Sequence, residues 1–207
     1  MTSISIIGIG NMGSAITRVA AASGASVQVV ARDLAKAHEL AGSTGAVASA
    51  FGDALTGDIV VLAVPFPAVD DIVDTYGEQL AGKVVVDITN PVDFSTFDGL
   101  VVPSDSSAAA AIAEKVPGAR VVKAFNTNFA ATLAAGTVGQ APTTVLVAGD
   151  DQEAKDAVLA FVRGGGLQAE DAGSLKRARE LESLGFLQLT LAAGEKVGWD
   201  AGFALAK

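Results

Sequence analysis

Three glycines, Gly8, Gly10 and Gly13, stand between the apolar run Ser3-Ile4-Ser5-Ile6-Ile7 and the helical pattern SAITRVAAASG, and no other feature constrains this chain as much. A strand that turns at once into a helix through GIGNMG needs backbone without side chains. The first glycine permits the tight turn, the second lets main chain approach a bound anion, and the third lets helix and strand pack closely. The free N–H groups at the helix start then face that anion, which suits a pyrophosphate. Gly8, Ile9, Gly10, Asn11, Met12 and Gly13 are therefore candidate dinucleotide-binding residues.

The end of the second strand decides which dinucleotide fits. An acidic residue about twenty positions after the glycines would bond a ribose 2′-hydroxyl, as NAD requires. Here the strand ends Val30-Ala31-Arg32-Asp33, so a guanidinium occupies that place. Arginine suits a 2′-phosphate and can stack on adenine, which favours NADP. Ala31 and Arg32 join the candidate site, with Lys36 one turn further on as a second cation that either assists the phosphate or faces solvent. Asp33 reads as a helix cap.

Apolar, β-branched runs recur near 3–8, 26–31, 58–64, 83–88, 119–124 and 143–148, with a short one at 46–49 and helical patterns between most of them. This alternation predicts a Rossmann-type, doubly wound parallel α/β sheet. Helices are expected over 11–23, closed by Gly24, from Asp33 through Leu40, and from Asp151 through Arg163, stopped by three glycines. Residues 1–172 read as the dinucleotide-binding domain. The remaining 173–207 read as a small helical appendage at the carboxyl edge of the sheet or at a subunit interface.

Composition narrows the chemistry. The chain has 207 residues, a formal charge of −9, no cysteine and one histidine. The acidic balance disfavours nucleic acid and anionic membrane as partners. Apolar runs end after about ten residues, short of the ~20 that span a bilayer, so no transmembrane segment is expected and a cytoplasmic protein is. Thiolate metal sites and disulfides are excluded, and a histidine-based hydrolase is poorly supplied. Hydride movement between bound molecules needs no such side chains.

With GIGNMG and Arg32-Asp33, the segments AVPFPAV at 63–69, DITNP at 87–91, VVKAFNT at 121–127 and DAGSLKRARELE at 171–182 resemble, in order and spacing, the NADPH-dependent reductases of the deazaflavin coenzyme F420. The cytoplasmic domains of STEAP metalloreductases are relatives with a similar pattern. The resemblance implies direct hydride transfer between NADP(H) and a planar acceptor, coenzyme F420 or a flavin such as FMN or FAD, with no catalytic side chain. It also implies that Ala63, Val64 and Pro65, Asn90, and Asn126 with Thr127 end three strands around the nicotinamide and its acceptor. Archaeal members carry hydroxyl residues where this chain has Ile9 and Ala31, which either weakens NADP preference or leaves Arg32 to supply most of it. They also tend to place His-Thr where Asn126-Thr127 stands, the latter being closer to the metalloreductase branch.

Two other readings stay open. A reductase of a small carbonyl or imine on the same fold would need a proton-moving residue. Lys123, which sits deep in a strand run, and Lys176, in a helix start facing solvent or phosphate, are the candidates. A non-catalytic NADP-binding redox sensor is the other. His38 reads as surface, and Phe186, Leu187 and Trp199 have core spacing. Small redox cofactors are the expected partners, and the apolar tail GFLQLTLAAG predicts a homodimer.

Overall fold

The computed structural model describes residues 2–205. The chain runs β1 (Ser3–Ile7), α1 (Asn11–Ala22), β2 (Ser26–Ala31), α2 (Leu34–Thr44), β3 (Val47–Ala50) and β4 (Ile59–Leu62), and a 3-10 turn at Phe66–Ala68 then leads into α3 (Val69–Leu80). It continues through β5 (Val84–Asp87), α4 (Ala108–Lys115), β6 (Arg120–Lys123) and α5 (Ala130–Ala135) to a hairpin of β7 (Thr137–Val138) and β8 (Ala141–Pro142). β9 (Thr144–Gly149), α6 (Gln152–Gly164), β10 (Gln168–Gly173), a second 3-10 turn at Leu175–Arg177 and α7 (Ala178–Ala193) complete the described elements.

Among the described residues one eight-stranded sheet has the order β10-β9-β6-β5-β4-β1-β2-β3. Because the chain leaves β1 towards β2 on one side and returns to β4 on the other, the crevice above β1 is the switch point, and the glycine turn lies there. Strand residues alternate between two buried faces. Ile59, Val61, Val84 and Val86 pack with α1 and α6, while Val60, Leu62 and Val85 pack with α3 and α4. Burial on both faces is why these strands read as continuous apolar runs, each such side chain contributing about 1.5–3 kcal/mol.

Helix ends follow their sequence signals. Asp33 accepts the Lys36 N–H at 3.2 Å and Asp151 the Ala154 N–H at 2.8 Å, so both are N-caps. α2 runs past Leu40 to Gly45, which takes a left-handed conformation at φ 75°.

Three expectations need correction. The sheet is not wholly parallel, because β9 pairs antiparallel to β6, with β10 parallel to β9. α5 has only six residues, about 9 Å of helix, too short to carry the chain back to the other end of the sheet, so β9 starts beyond the carboxyl end of β6 and only its last residues pair with that strand. β10 itself went unnoticed in QAEDAG, whose few apolar residues belong to a half-covered edge strand. Finally, Leu187 and Trp199 are exposed and not core, because α7 turns one side to solvent beyond the sheet and the chain after it lies on the surface. No helix among the described residues is long and apolar enough to cross a membrane.

Candidate active site

The glycine turn is shaped by backbone contacts. Gly8 has φ 106°, and a Cβ there would lie 2.2 Å from the Ala63 carbonyl oxygen. A Cβ on Gly13 would lie 2.0 Å from the Gly8 carbonyl oxygen. Both glycines are demanded by the protein's own packing. Gly10 differs, since a Cβ there would meet nothing within 4 Å. It stands at the N-cap of α1, which has no side-chain cap and no acidic residue in its first turn. An anion-sized space and uncapped N–H groups at a helix start are what a pyrophosphate needs.

A cavity opens on each side of this turn. One, of about 290 Å³, is lined by Gly8, Ile9, Ala31, Arg32, Val64 and Pro65 among others. Phe51 and Ile72 add apolar walls. The Arg32 guanidinium lies 5.1 Å from the centre of the Phe51 ring and pairs with Asp71 of α3 at 2.7 Å. Both partners of that ion pair are well exposed, at 67% and 60%, so a dianionic phosphate can compete for the guanidinium. Lys36 is turned to Asp33, 3.4 Å away, and does not line the cavity. The Lys36 N–H bond holds the Asp33 carboxyl below its ordinary value.

The other cavity, of about 330 Å³, is lined by Asn11 and Met12 from the turn, Ile88 and Asn90 after β5, and Phe125, Asn126, Asn128 and Phe129 after β6. Ala130 and Ala131 of α5, Leu189 of α7 and Trp199 of the tail close it. Phe125 adopts φ 63°, a costly conformation for an aromatic residue, held by complete burial and by stacking on Phe161 with ring centres 5.9 Å apart. The following residues turn sharply as a result. Asn126 donates its amide to Asn90 Oδ1 at 2.9 Å and to the Leu181 carbonyl at 2.8 Å, while Asn90 donates back to the Asn126 carbonyl at 2.9 Å. Asn126 Oδ1 and Asn128 Oδ1 are buried without a hydrogen-bond partner. Buried acceptors of this kind mark places where a ligand N–H fits. Thr127 is buried and lies off the cavity wall, and Ala63 lies under Gly8.

Sequence reasoning missed the elements that fix this second cavity. Lys123 is fully buried and donates to Asp87 at 2.7 Å, to the Thr89 carbonyl at 2.6 Å and to Glu182 of α7 at 2.8 Å. Glu182 also accepts the Ala108 N–H at 2.9 Å at the start of α4. Burial pushes the Glu182 carboxyl up from its ordinary 4.5, against the pull of Lys123 and the Ala108 N–H, with Asp87 adding to the rise. One turn further along α7, a Cβ on Gly185 would lie 2.5 Å from Asn90 Oδ1 and 2.8 Å from the Asn126 carbonyl. α7 is thereby clamped to the asparagine pair. The available signal was two charges, Asp87 and Lys123, inside apolar stretches and in register on neighbouring strands, while Glu182 stands among other charges in KRARELES and gave none. Lys176 and His38 are exposed, and neither lines either cavity.

Fold and site together define a dinucleotide-binding α/β protein with a second, apolar cavity beyond the glycine turn. Residues 3–91 match the family described as NADP oxidoreductase, coenzyme F420-dependent. It is 31% identical to metalloreductase STEAP3 of Rattus norvegicus over 87% of this chain and 36% of that protein. To the F420-dependent NADP reductase of Methanocaldococcus jannaschii it is 30% identical, over 62% of this chain and 59% of that protein. The chain thus spans less than two thirds of the length of these curated relatives. A crystal structure from Arthrobacter sp. FB24, named a candidate F420-dependent NADP reductase, superposes over 100% of both chains with a TM-score of 0.86 and 26% identity.

Proposed function

We propose that the protein binds NADP(H) and exchanges a hydride with a flat, conjugated acceptor of the deazaflavin or flavin type. One observation carries this reading. Residues 8 and 9 line one cavity, residues 11 and 12 line the other, and Gly10 between them faces open space. A ligand whose anionic middle rests on Gly10 reaches both cavities at once, and a dinucleotide has that form. The main-chain N–H groups of the α1 start would hold its pyrophosphate, Arg32 its 2′-phosphate and the Phe51 face its adenine. Asn126 Oδ1, buried and unpartnered, fits the carboxamide N–H. NADPH supplies one hydride from its nicotinamide C4, and a solvent proton completes the reduced acceptor.

What the chain itself contributes is alignment. Among the described residues, those lining the second cavity include no Lys, Arg, His, Asp or Glu. Lys123, the deepest candidate for proton transfer, is fully buried and bound by two carboxylates. This favours a ring that takes a hydride over a carbonyl that needs a positioned acid. In this reading residues 173–207 act as the segment that closes the acceptor end, and the location is cytoplasmic. A second copy of the chain covers the exposed Leu187, Phe203 and Leu205, which sedimentation at micromolar concentration tests.

Oxidation of NADPH, followed by its absorbance, is expected with coenzyme F420 or with FMN or FAD. Absence of turnover with all three, together with reduction of a small imine, would transfer the assignment to the imine reading.

A further inference from the structure

The tail after α7 is folded back onto the acceptor cavity. Gly194 ends the helix, Glu195 takes φ 56°, and the Lys196 N–H returns to the Leu191 carbonyl at 2.9 Å. The Phe203 N–H donates to the buried Gln188 side chain at 3.4 Å. Between these anchors the Trp199 ring stands against Phe129, with ring centres 5.1 Å apart and planes at 51°. Trp199 is 54% exposed and lines the cavity, as does Phe129. An indole held half out of water by two backbone anchors has an apolar face available for a ligand.

Asn128 makes the second half of the argument. It is 7% exposed, lines the same cavity and donates its amide to the Thr144 carbonyl at 3.0 Å. That bond fixes which end is oxygen, and the oxygen has no partner. The cavity therefore offers, besides the buried Phe125, the two aromatic rings of Phe129 and Trp199, one orphan acceptor beyond that of Asn126, and no charged side chain among the described residues.

We propose that Trp199, Phe129 and Asn128 form an acceptor subsite for the uncharged part of a tricyclic isoalloxazine-type ring. The two aromatic side chains stack it, and Asn128 Oδ1 accepts the N–H of its pyrimidine-dione edge. The subsite reads the ring alone, so any charged tail lies outside it. This rests on the hydride-acceptor reading above.

Trp199 is the sole tryptophan, so its fluorescence reports occupancy without turnover. The experiment titrates lumiflavin, 3-methyllumiflavin and FMN into the NADP⁺-saturated protein, then repeats the lumiflavin titration on Trp199→Ala and Trp199→Phe by the flavin's own fluorescence. Lumiflavin and FMN are expected to quench with similar dissociation constants. The 3-methyl compound, lacking the N–H, is expected to bind about tenfold more weakly. Trp199→Ala should weaken lumiflavin by about tenfold and Trp199→Phe much less, with NADP⁺ affinity kept within about twofold as proof of folding. Unchanged lumiflavin binding in Trp199→Ala, equal binding of the 3-methyl compound, or FMN binding far more tightly than lumiflavin overturns the proposal. Ring binding without NADPH oxidation leaves this subsite standing and removes the hydride-acceptor reading. Oxidation of NADPH by a flavin that Trp199→Ala binds as well as wild type does the reverse.

Discussion

The two cavities beside the glycine turn are built in opposite ways. The one at Arg32 is lined by residues 7–9, 30–33, 51, 64–65, 68 and 72, all from the first 72 positions of the chain. The one at Trp199 joins residues 11–12, 88, 90, 125–126, 128–131, 189 and 199, from nearly its whole length. The first is a local product of a strand, a turn and the ends of neighbouring strands. The second is completed only because α7, clamped to the asparagine pair, brings Leu189 and the tail's Trp199 to its wall. The cavity proposed for the dinucleotide is thus a property of short motifs, and the one proposed for the acceptor is a property of the assembled fold.

The glycine turn gives the sharpest way to break this contrast. Gly8→Ala drives a Cβ into the Ala63 carbonyl at a φ of 106° and should cost about 4 kcal/mol or prevent folding, read by thermal denaturation. Gly10→Ala should change stability by no more than about 1 kcal/mol, yet lower NADPH affinity at least about tenfold. Wild-type NADPH binding by Gly10→Ala would remove the pyrophosphate cradle.

Lys123→Met comes next. It leaves Asp87 and Glu182 buried without their shared cation, and about 3–5 kcal/mol of stability should go with it. Where the variant still folds in the cold, acceptor affinity should fall much more than NADPH affinity; equal losses would mean that the clamp does not serve the second cavity in particular. The carboxyl has its own pH signature. Because the folded-state pKa of Glu182 is raised, its contribution is fully present below 4.5 and is lost as pH rises through the raised value. Glu182→Gln should lack that component in denaturant titrations run across acidic to neutral pH.

Smaller effects are expected at Arg32. Arg32→Ala should raise the NADPH Michaelis constant by roughly 10- to 100-fold with little change for NADH. Asp71→Asn frees the guanidinium from an exposed ion pair and should lower the NADPH constant by no more than a few-fold. Equal responses of the two nucleotides to Arg32→Ala would remove the argument for the 2′-phosphate.

Much of the cavity at Arg32 could be read directly. Gly8 and Gly13 announce themselves because the protein's own backbone excludes side chains there, Gly10 by its spacing between them, and Arg32 and Asp33 because a strand end has a fixed position relative to the turn. Asp151 and its closing glycines did the same for α6. The reversal at β9 was hidden, since VLVAG reads alike in either direction and the turning is done by a six-residue helix and a hairpin. Trp199 was hidden for another reason: its spacing suits a core, and only the fold-back after Gly194 shows that it borders a cavity.

By itself, then, the chain's order of residues determined the α/β class, the glycine turn and the cationic end of the second strand, because each depends on backbone freedom or charge within a few positions. Tertiary structure alone decided the second cavity, the burial of Lys123 between two carboxylates and the seat of α7 on the asparagine pair. Those depend on contacts between residues up to about a hundred positions or more apart, where helix register and packing, and not local preference, set which side chains meet.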